Sequence, residues 1–312
     1  MNFLVFSDLH SHKFPYSNIT KSGENELLLA SLNIIDQVYD YAVLNNVPRI
    51  NFIGDLFHIR AKIDSELYSN MMYEKLCACF GHKHSPVLFL IPGNHDQINK
   101  TGKHNLLPFS QIRNVFVIDS FYKKDNTIIC PHQYDINLLY RFLEENSDEN
   151  SMIFMHQLLM NSPLLSGAIF RKNEAVDTTR FKFKVIFSGH NHRPFENRVS
   201  GIFNIGSPMH CDFGDAECQE RFFIHYSNGA VKWIPTIFPH FASQDTPEAK
   251  KAVYVKKKSK KIKEVTNRIE INFNDDPKNI MQVYIESEET SLDKKLLFQE
   301  GTRILNMVTQ SQ

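Results

Sequence analysis

Five short segments carry side chains that bind metal ions, and each follows or closes an apolar run. Asp8-Leu9-His10 follows NFLVFS, Gly54-Asp55-Leu56-Phe57-His58 follows RINFI, and Gly93-Asn94-His95-Asp96 follows VLFLIP. His156 closes MIFMH, and Gly189-His190-Asn191-His192 follows KVIFS. Runs of this kind read as buried strands, whose ends in an α/β sheet offer side chains to one shared crevice. An extended segment points residues i and i+2 to the same side, so Asp8 and His10 are expected to grip one ion together. Glycines let the backbone turn tightly before a ligand. Each motif alone is common, and an isolated strand-end histidine is most often a satisfied core residue. Five together differ, because that many Asp and His at buried sheet edges would be costly without a cation.

The donor set mixes carboxylate, amide oxygen and imidazole, without thiolate. That suits a two-metal site of manganese, iron or zinc better than purely oxygen-ligated magnesium or calcium. Two ions about 3.5–4 Å apart would share a bridging carboxylate and water and clamp a phosphoryl oxygen. The chemistry expected is phosphoester hydrolysis.

The elements that must position these groups begin as an α/β alternation. Strands are predicted over 2–7, 49–53 and 87–91. A helix is predicted over 24–46, where Leu28, Leu32, Ile35, Tyr39 and Ala42 recur at three- and four-residue spacing. A second helix is predicted over 65–80, with Ser65 or Asp64 as its N-cap. From about residue 115 strands crowd together, at 115–119, 127–130, 152–155, 184–188, 201–205, 221–226 and 231–234. Among them are one helix, 136–145, and an Asn228-Gly229 hairpin signal. The fold class expected is α/β, a mixed sheet under helices with a second sheet packed on it. At 238–248 the text turns to Pro, Ser, Gln and Thr. An acid-free lysine run follows, Lys250, Lys251, Lys256, Lys257, Lys258, Lys260, Lys261 and Lys263. Strand-like segments at 268–273 and 281–286 and a helix over 293–307 then suggest a small α+β capping domain at 245–312, after a main domain at 1–240.

Composition bounds the partners. Lys plus Arg and Asp plus Glu both number 35, so any nucleic-acid contact must come from a local basic patch. Of the lysine run, Lys256, Lys257, Lys258, Lys260 and Lys261 are the candidates for sequence-independent backbone contact. No continuous apolar run approaches membrane-spanning length, and residues 1–7 lack the basic start of a signal peptide. Five cysteines without C-x-x-C spacing point to a reducing, cytoplasmic setting. Gly102-Lys103-His104 lacks the earlier glycine of a phosphate loop, so ATP would be hydrolysed by another subunit.

The motif order D-x-H, G-D-x-x-H, G-N-H-D, H, G-H-x-H resembles the calcineurin-like metallophosphoesterase superfamily. Within it, Gly54-Asp55-Leu56-Phe57-His58 and the segment Gly206-Ser207-Pro208-Met209-His210-Cys211-Asp212-Phe213-Gly214-Asp215 are similar to the SbcD and meiotic-recombination-eleven nuclease family, including phage and bacterial recombination endonuclease subunits. The resemblance covers roughly residues 1–240 and implies a four-layer fold of two packed mixed sheets flanked by helices. It implies that Asp8, His10 and His192 hold one metal, that Asn94, His156 and His190 hold a second, and that Asp55 bridges. It further implies that His95 stabilises the transition state and assists the leaving group, that His58 orients the scissile phosphate, and that Asp96 orients His95. The activity implied is a manganese-dependent DNA exo/endonuclease in repair or recombination, homodimeric, with an SbcC-like ATPase partner, in a bacterial or phage-infected cell. The alternative is a phosphoesterase of the same fold acting on RNA, a small phosphodiester or a phosphoprotein. Ser11-His12, the missing proline after His58 and the short C-terminal region depart from the family pattern.

Overall fold

The computed structural model describes residues 1–60, 62–163, 175–243 and 247–256. In chain order its strands are β1 (Asn2–Phe6), β2 (Arg49–Ile53), β3 (Val87–Ile91), β4 (Val115–Val117), β5 (Tyr122–Lys124), β6 (Thr127–Cys130) and β7 (Met152–Met155). They continue as β8 (Val185–Ser188), β9 (Phe195–Asn197), β10 (Ile202–Asn204), β11 (Phe222–Ser227), β12 (Ala230–Pro235), β13 (Phe241–Ser243) and β14 (Tyr254–Lys256). The helices are α1 (Glu26–Leu44), α2 (Glu74–Phe80) and α3 (Ile136–Asn146).

Twelve strands form two six-stranded sheets, ordered β12-β11-β1-β2-β3-β4 and β5-β6-β7-β8-β10-β9. Strands β1 to β4 run parallel, as do β6, β7, β8 and β10, while β11 joins β1 antiparallel. Strand alternation divides β1 between two cores. Leu4 and Phe6 pack under α1 and α2 with Leu28, Ile35 and Phe52. Phe3 and Val5 face the other way and meet Phe154, Phe187 and Phe203 of the second sheet. Helix α3 closes the far side, with Leu139 and Leu143 against Ile128, Ile153 and Ile186. Burial on both faces explains why these strands read as continuous apolar runs. The architecture is the pair of mixed sheets flanked by helices that the sequence predicts.

Asn25 caps α1 by accepting from the Leu28 N–H at 3.1 Å, which starts the helix two residues later than its periodicity suggests. Among the described residues, α1 alone is long and apolar enough to cross a membrane, and its Leu28, Ile35 and Val38 are buried in the core beneath it. Asp64 accepts from the Leu67 N–H at 2.9 Å and caps the second helical segment. That segment winds as a π-helix over Leu67–Tyr73 before α2, a change the three- and four-residue spacing does not reveal. Sequence reading misses β5 and β9, three-residue edge strands with little apolar alternation. The Tyr254 hydroxyl of β14 donates to Glu26 Oε2 at 2.7 Å, and its ring stacks on Phe241. From residue 257 onward the expected capping domain, with its strands at 268–273 and 281–286 and its helix at 293–307, lies outside the described residues.

Candidate active site

The seven candidate ligands lie just beyond the carboxyl ends of parallel strands: Asp8 and His10 after β1, Asp55 after β2, Asn94 after β3, His156 after β7, and His190 and His192 after β8. The loops after β1 and β2 stay zipped. The Asp8 N–H donates to the Gly54 carbonyl at 2.9 Å and the His10 N–H to the Asp55 carbonyl at 3.0 Å. Asp8 (φ 54°), His10 (φ 50°), Asp55 (φ 61°) and His190 (φ 80°) occupy the left-handed region, at about 1–3 kcal/mol each for a non-glycine residue. Asp8 and His10 therefore converge through a turn, not through the strand alternation expected of D-x-H. Glycines make the approach possible. A Cβ on Gly54 would lie 2.2 Å from His156 Nδ1, and one on Gly93 would lie 2.2 Å from Asp55 Oδ1.

Two groups of donors result. Asp8, His10 and His192 bring one atom each within 4.8 Å of one another, and so do Asp55, His156 and His190. His192 Nε2 faces His10 Nε2 at 2.9 Å. Asp55 Oδ2 stands between the groups, 3.6 Å from His10 Nε2 and 3.2 Å from His156 Nε2. His156 Nδ1 donates to the Ile53 carbonyl at 2.7 Å, which turns Nε2 inward. Asn94 Oδ1 points at His190 Nδ1 (2.6 Å), His156 Nε2 (3.1 Å) and Asp55 Oδ2 (3.2 Å). Amide oxygen, carboxylate oxygen and imidazole nitrogens facing one point are lone-pair groups, which a divalent cation satisfies together. The residues fit two such ions, with Asp8, His10 and His192 available to one, Asn94, His156 and His190 to the other, and Asp55 to both.

Electrostatics follows from burial and crowding. Burial would raise the Asp55 pKa, but His156 and then His10 hold it well below the usual carboxylate range. Burial also opposes a charged His156, yet Asp55 and then Asp8 lift it to about 9. Burial, reinforced by the neighbouring histidines, drives His10 and His190 well below their ordinary value and leaves neutral rings able to ligate.

His95 and His58 flank the first group. Each has a donor atom within 4.8 Å of one on His10, and both side chains are half-buried. His95 Nδ1 pairs with the His58 carbonyl. Burial, then His95 and His12, pushes His58 down to about 4. Asp96 corrects the sequence expectation. Its carboxylate accepts from the N–H groups of Asp55 (2.8 Å), Leu56 (2.9 Å), Phe57 (3.2 Å) and Gly93 (2.9 Å), so it moulds the two ligand loops instead of orienting the His95 ring. A buried carboxylate is better satisfied by these four amide donors than by one imidazole. Burial and the Asp55 charge still push Asp96 up to about 7.

Sequence reading gives no role to three neighbours. Asp215 Oδ1 lies 3.6 Å from His192 Nδ1 and 3.1 Å from Nη2 of Arg221, which is itself fully buried. His132 donates from Nδ1 to the His156 carbonyl at 3.0 Å, and its ring lies 5.3 Å from that of His190. Asp215 closes a quoted motif, but Arg221 and His132 carry no local signal. His210, next to the Gly-Ser-Pro turn, instead ties two loops: Nδ1 accepts from the Phe241 N–H at 3.0 Å and Nε2 donates to the Cys218 carbonyl at 2.9 Å. Lys256 ends β14, while Lys257, Lys258, Lys260 and Lys261 lie outside the described residues.

Two clusters of side chains that could hold metal ions therefore lie at the strand ends of the two mixed sheets. Residues 1–194 match the calcineurin-like phosphoesterase family, and the chain belongs to it. Its members are hydrolases that use divalent metals. A Staphylococcus aureus protein named as a putative 5'-nucleotidase, solved in complex with alpha-ketoglutarate, is similar at 14% identity with a TM-score of 0.46. The likeness covers 76% of this chain and 54% of that one, so the chain spans about half that protein's length. No curated protein matches.

Proposed function

We propose that this protein is a two-metal phosphoesterase with manganese as the first candidate ion. One observation carries the reading: Asp55 stands between two groups of buried donors. Divalent ions held there would supply Lewis acidity toward a phosphoryl oxygen and a lowered pKa for water. The chain's own residues do the rest. Asp96 holds the loops of Asp55 and Asn94 in place, and His190 N–H bonds to the Asp8 carboxylate (3.0 and 3.1 Å) join the sheets across the site. His95, steadied through Nδ1, keeps Nε2 to pass a proton to the leaving oxygen, and His58 faces the same side of the donor group.

The broad substrate class is a phosphoester. A DNA nuclease, with an SbcC-like ATPase, a homodimer and the lysines from Lys256 to Lys261 on the DNA backbone, is the narrower reading. Its support is the resemblance of the Gly206 to Asp215 segment to that nuclease family, while the Asp215 contact with His192 serves a phosphoesterase of either kind. The test compares a mono-aryl phosphate, a bis-aryl phosphodiester, a 5'-nucleotide, RNA, and end-labelled duplex and single-stranded DNA, each with Mn²⁺ or Mg²⁺ beside a His95→Ala control. DNA cleavage that the variant lacks supports the nuclease. Turnover confined to small esters removes it and keeps the phosphoesterase. No turnover on any ester refutes both.

A further inference from the structure

Strands β13 and β14 form a separate two-stranded parallel sheet, three residues a side. A sheet that small does not stand unaided. Two aromatic side chains hold it. Phe241 and Tyr254 are buried with their rings stacked 4.5 Å apart, while Val253 and Val255 on either side of Tyr254 are exposed. Both rings press on the loop that follows the ligand His10. The Tyr254 hydroxyl, besides donating to Glu26, accepts from the Asn18 N–H at 3.0 Å. The Phe241 ring meets the Tyr16 ring edge-on, and the Tyr16 hydroxyl donates to the Cys211 carbonyl. The Cys211 N–H then donates to Asp215 Oδ2 at 2.8 Å, and Asp215 Oδ1 lies 3.6 Å from His192 Nδ1. One route ends on the loop of His10 and the other on His192, both ligands of the first group. Neither passes through Asn94, His156 or His190.

We propose that β13 and β14 are a strap that sets the first metal group, with Tyr254 as its positioning residue. The proposal rests on the two-metal reading and adds a device from beyond the residues that the family model matches. An element held by so few buried contacts opens locally at small cost. If its closed form aligns His10 and His192 for an ion, an ion held there must favour the closed form by the same factor. Strap and first ion therefore report on each other, while the second ion does not feel the strap.

Hydrogen exchange of the full chain, with and without manganese, tests the reciprocity. The Val253 and Tyr254 N–H groups both donate to the His240 carbonyl, at 3.0 and 3.1 Å, and should exchange about tenfold more slowly once manganese is bound, while those of α3 stay unchanged. Stepwise manganese titration tests the asymmetry. Tyr254→Phe keeps the ring but loses the hydroxyl bonds, so the step that a His192→Ala variant lacks should weaken about tenfold, the worth of one hydrogen bond to a charged group. Tyr254→Ala should weaken that step further, and the other step should hold in both. Leu143→Ala, which loosens the packing under α3, should lower Tm and move neither step. Two bound ions with unchanged strap exchange, or equal weakening of both steps in Tyr254→Phe, would overturn the strap alone. No manganese uptake by wild type would remove the strap and the two-metal reading together.

Discussion

Replacing Asp215 by asparagine separates two jobs that one carboxylate performs. Asp215 and Arg221 are each 1% exposed, with Oδ1 and Nη2 3.1 Å apart. Oδ2 accepts from the Cys211 N–H at 2.8 Å. Asparagine keeps the volume but turns an NH₂ toward one of these two donors and leaves the guanidinium without its counter-charge. Breaking a buried pair from one side costs about 3–5 kcal/mol. Arg221 still reaches the carbonyls of His192 and residue 215, which places the expectation at the lower end. A loss of about 3 kcal/mol lowers Tm by roughly 5 °C in a chain of 312 residues, whose unfolding entropy is about 2.1 cal/mol/K per residue. Despite burial, His192 and Arg221 hold the Asp215 pKa well below 3.8. Its stabilisation is therefore complete above the unfolded value near pH 4 and fades as pH falls toward the depressed one, so the gap between wild type and variant should narrow in acid. The second job concerns the metal. Without the carboxylate 3.6 Å from its Nδ1, His192 loses an orienting partner, and manganese affinity should drop by roughly 10–100-fold. Thermal melts of metal-free protein and manganese titrations read the two effects separately. The double variant Asp215→Leu with Arg221→Met should recover much of the stability but none of the metal affinity. Wild-type Tm and wild-type manganese affinity in Asp215→Asn would refute the reasoning.

Manganese binding should also depend on pH through His156. Below its pKa of about 9 the ion must displace a proton, so affinity should rise about tenfold per pH unit between 7 and 9 and then level off. Calorimetry in buffers of differing ionisation enthalpy should register the released proton, and buffer-independent heats would contradict it. Gly54→Ala should push His156 off the Ile53 carbonyl, since the new Cβ would meet Nδ1 at 2.2 Å at a φ of +98°. Metal analysis should find fewer ions bound beside an unchanged far-ultraviolet circular dichroism spectrum, and full metal content would count against the close packing. Asp55→Ala and His190→Ala should abolish both turnover and metal uptake, whereas His95→Ala should keep the metals and lose most turnover. Full activity in either ligand variant would sink the site.

Ligand types and their strand-end positions are legible in the sequence for a simple reason. A parallel strand buried on both faces must be apolar throughout, so the polar residue that ends it stands out. That logic finds Asp8, Asp55, Asn94, His156 and His190, and the same apolar runs place most strands within one or two residues. It fails where burial leaves no periodic trace, as in the short edge strands β5 and β9 and the π-helical turn before α2. Only the tertiary structure decides how the donors are shared. The grouping of Asp8 with His192, and of Asp55 with His156, depends on β7 and β8 packing across the core from β1 and β2. The spacing Asp8-Leu9-His10 suggests an extended grip, while the positive φ angles follow from loops zipped to their neighbours. Asp96 adjoins His95 in sequence yet serves the backbone of Asp55, because three of its four amide donors belong to another strand's loop. Arg221 and His132 reach the site only through folding, since local sequence carries chain direction and burial but not contacts between residues far apart along the chain.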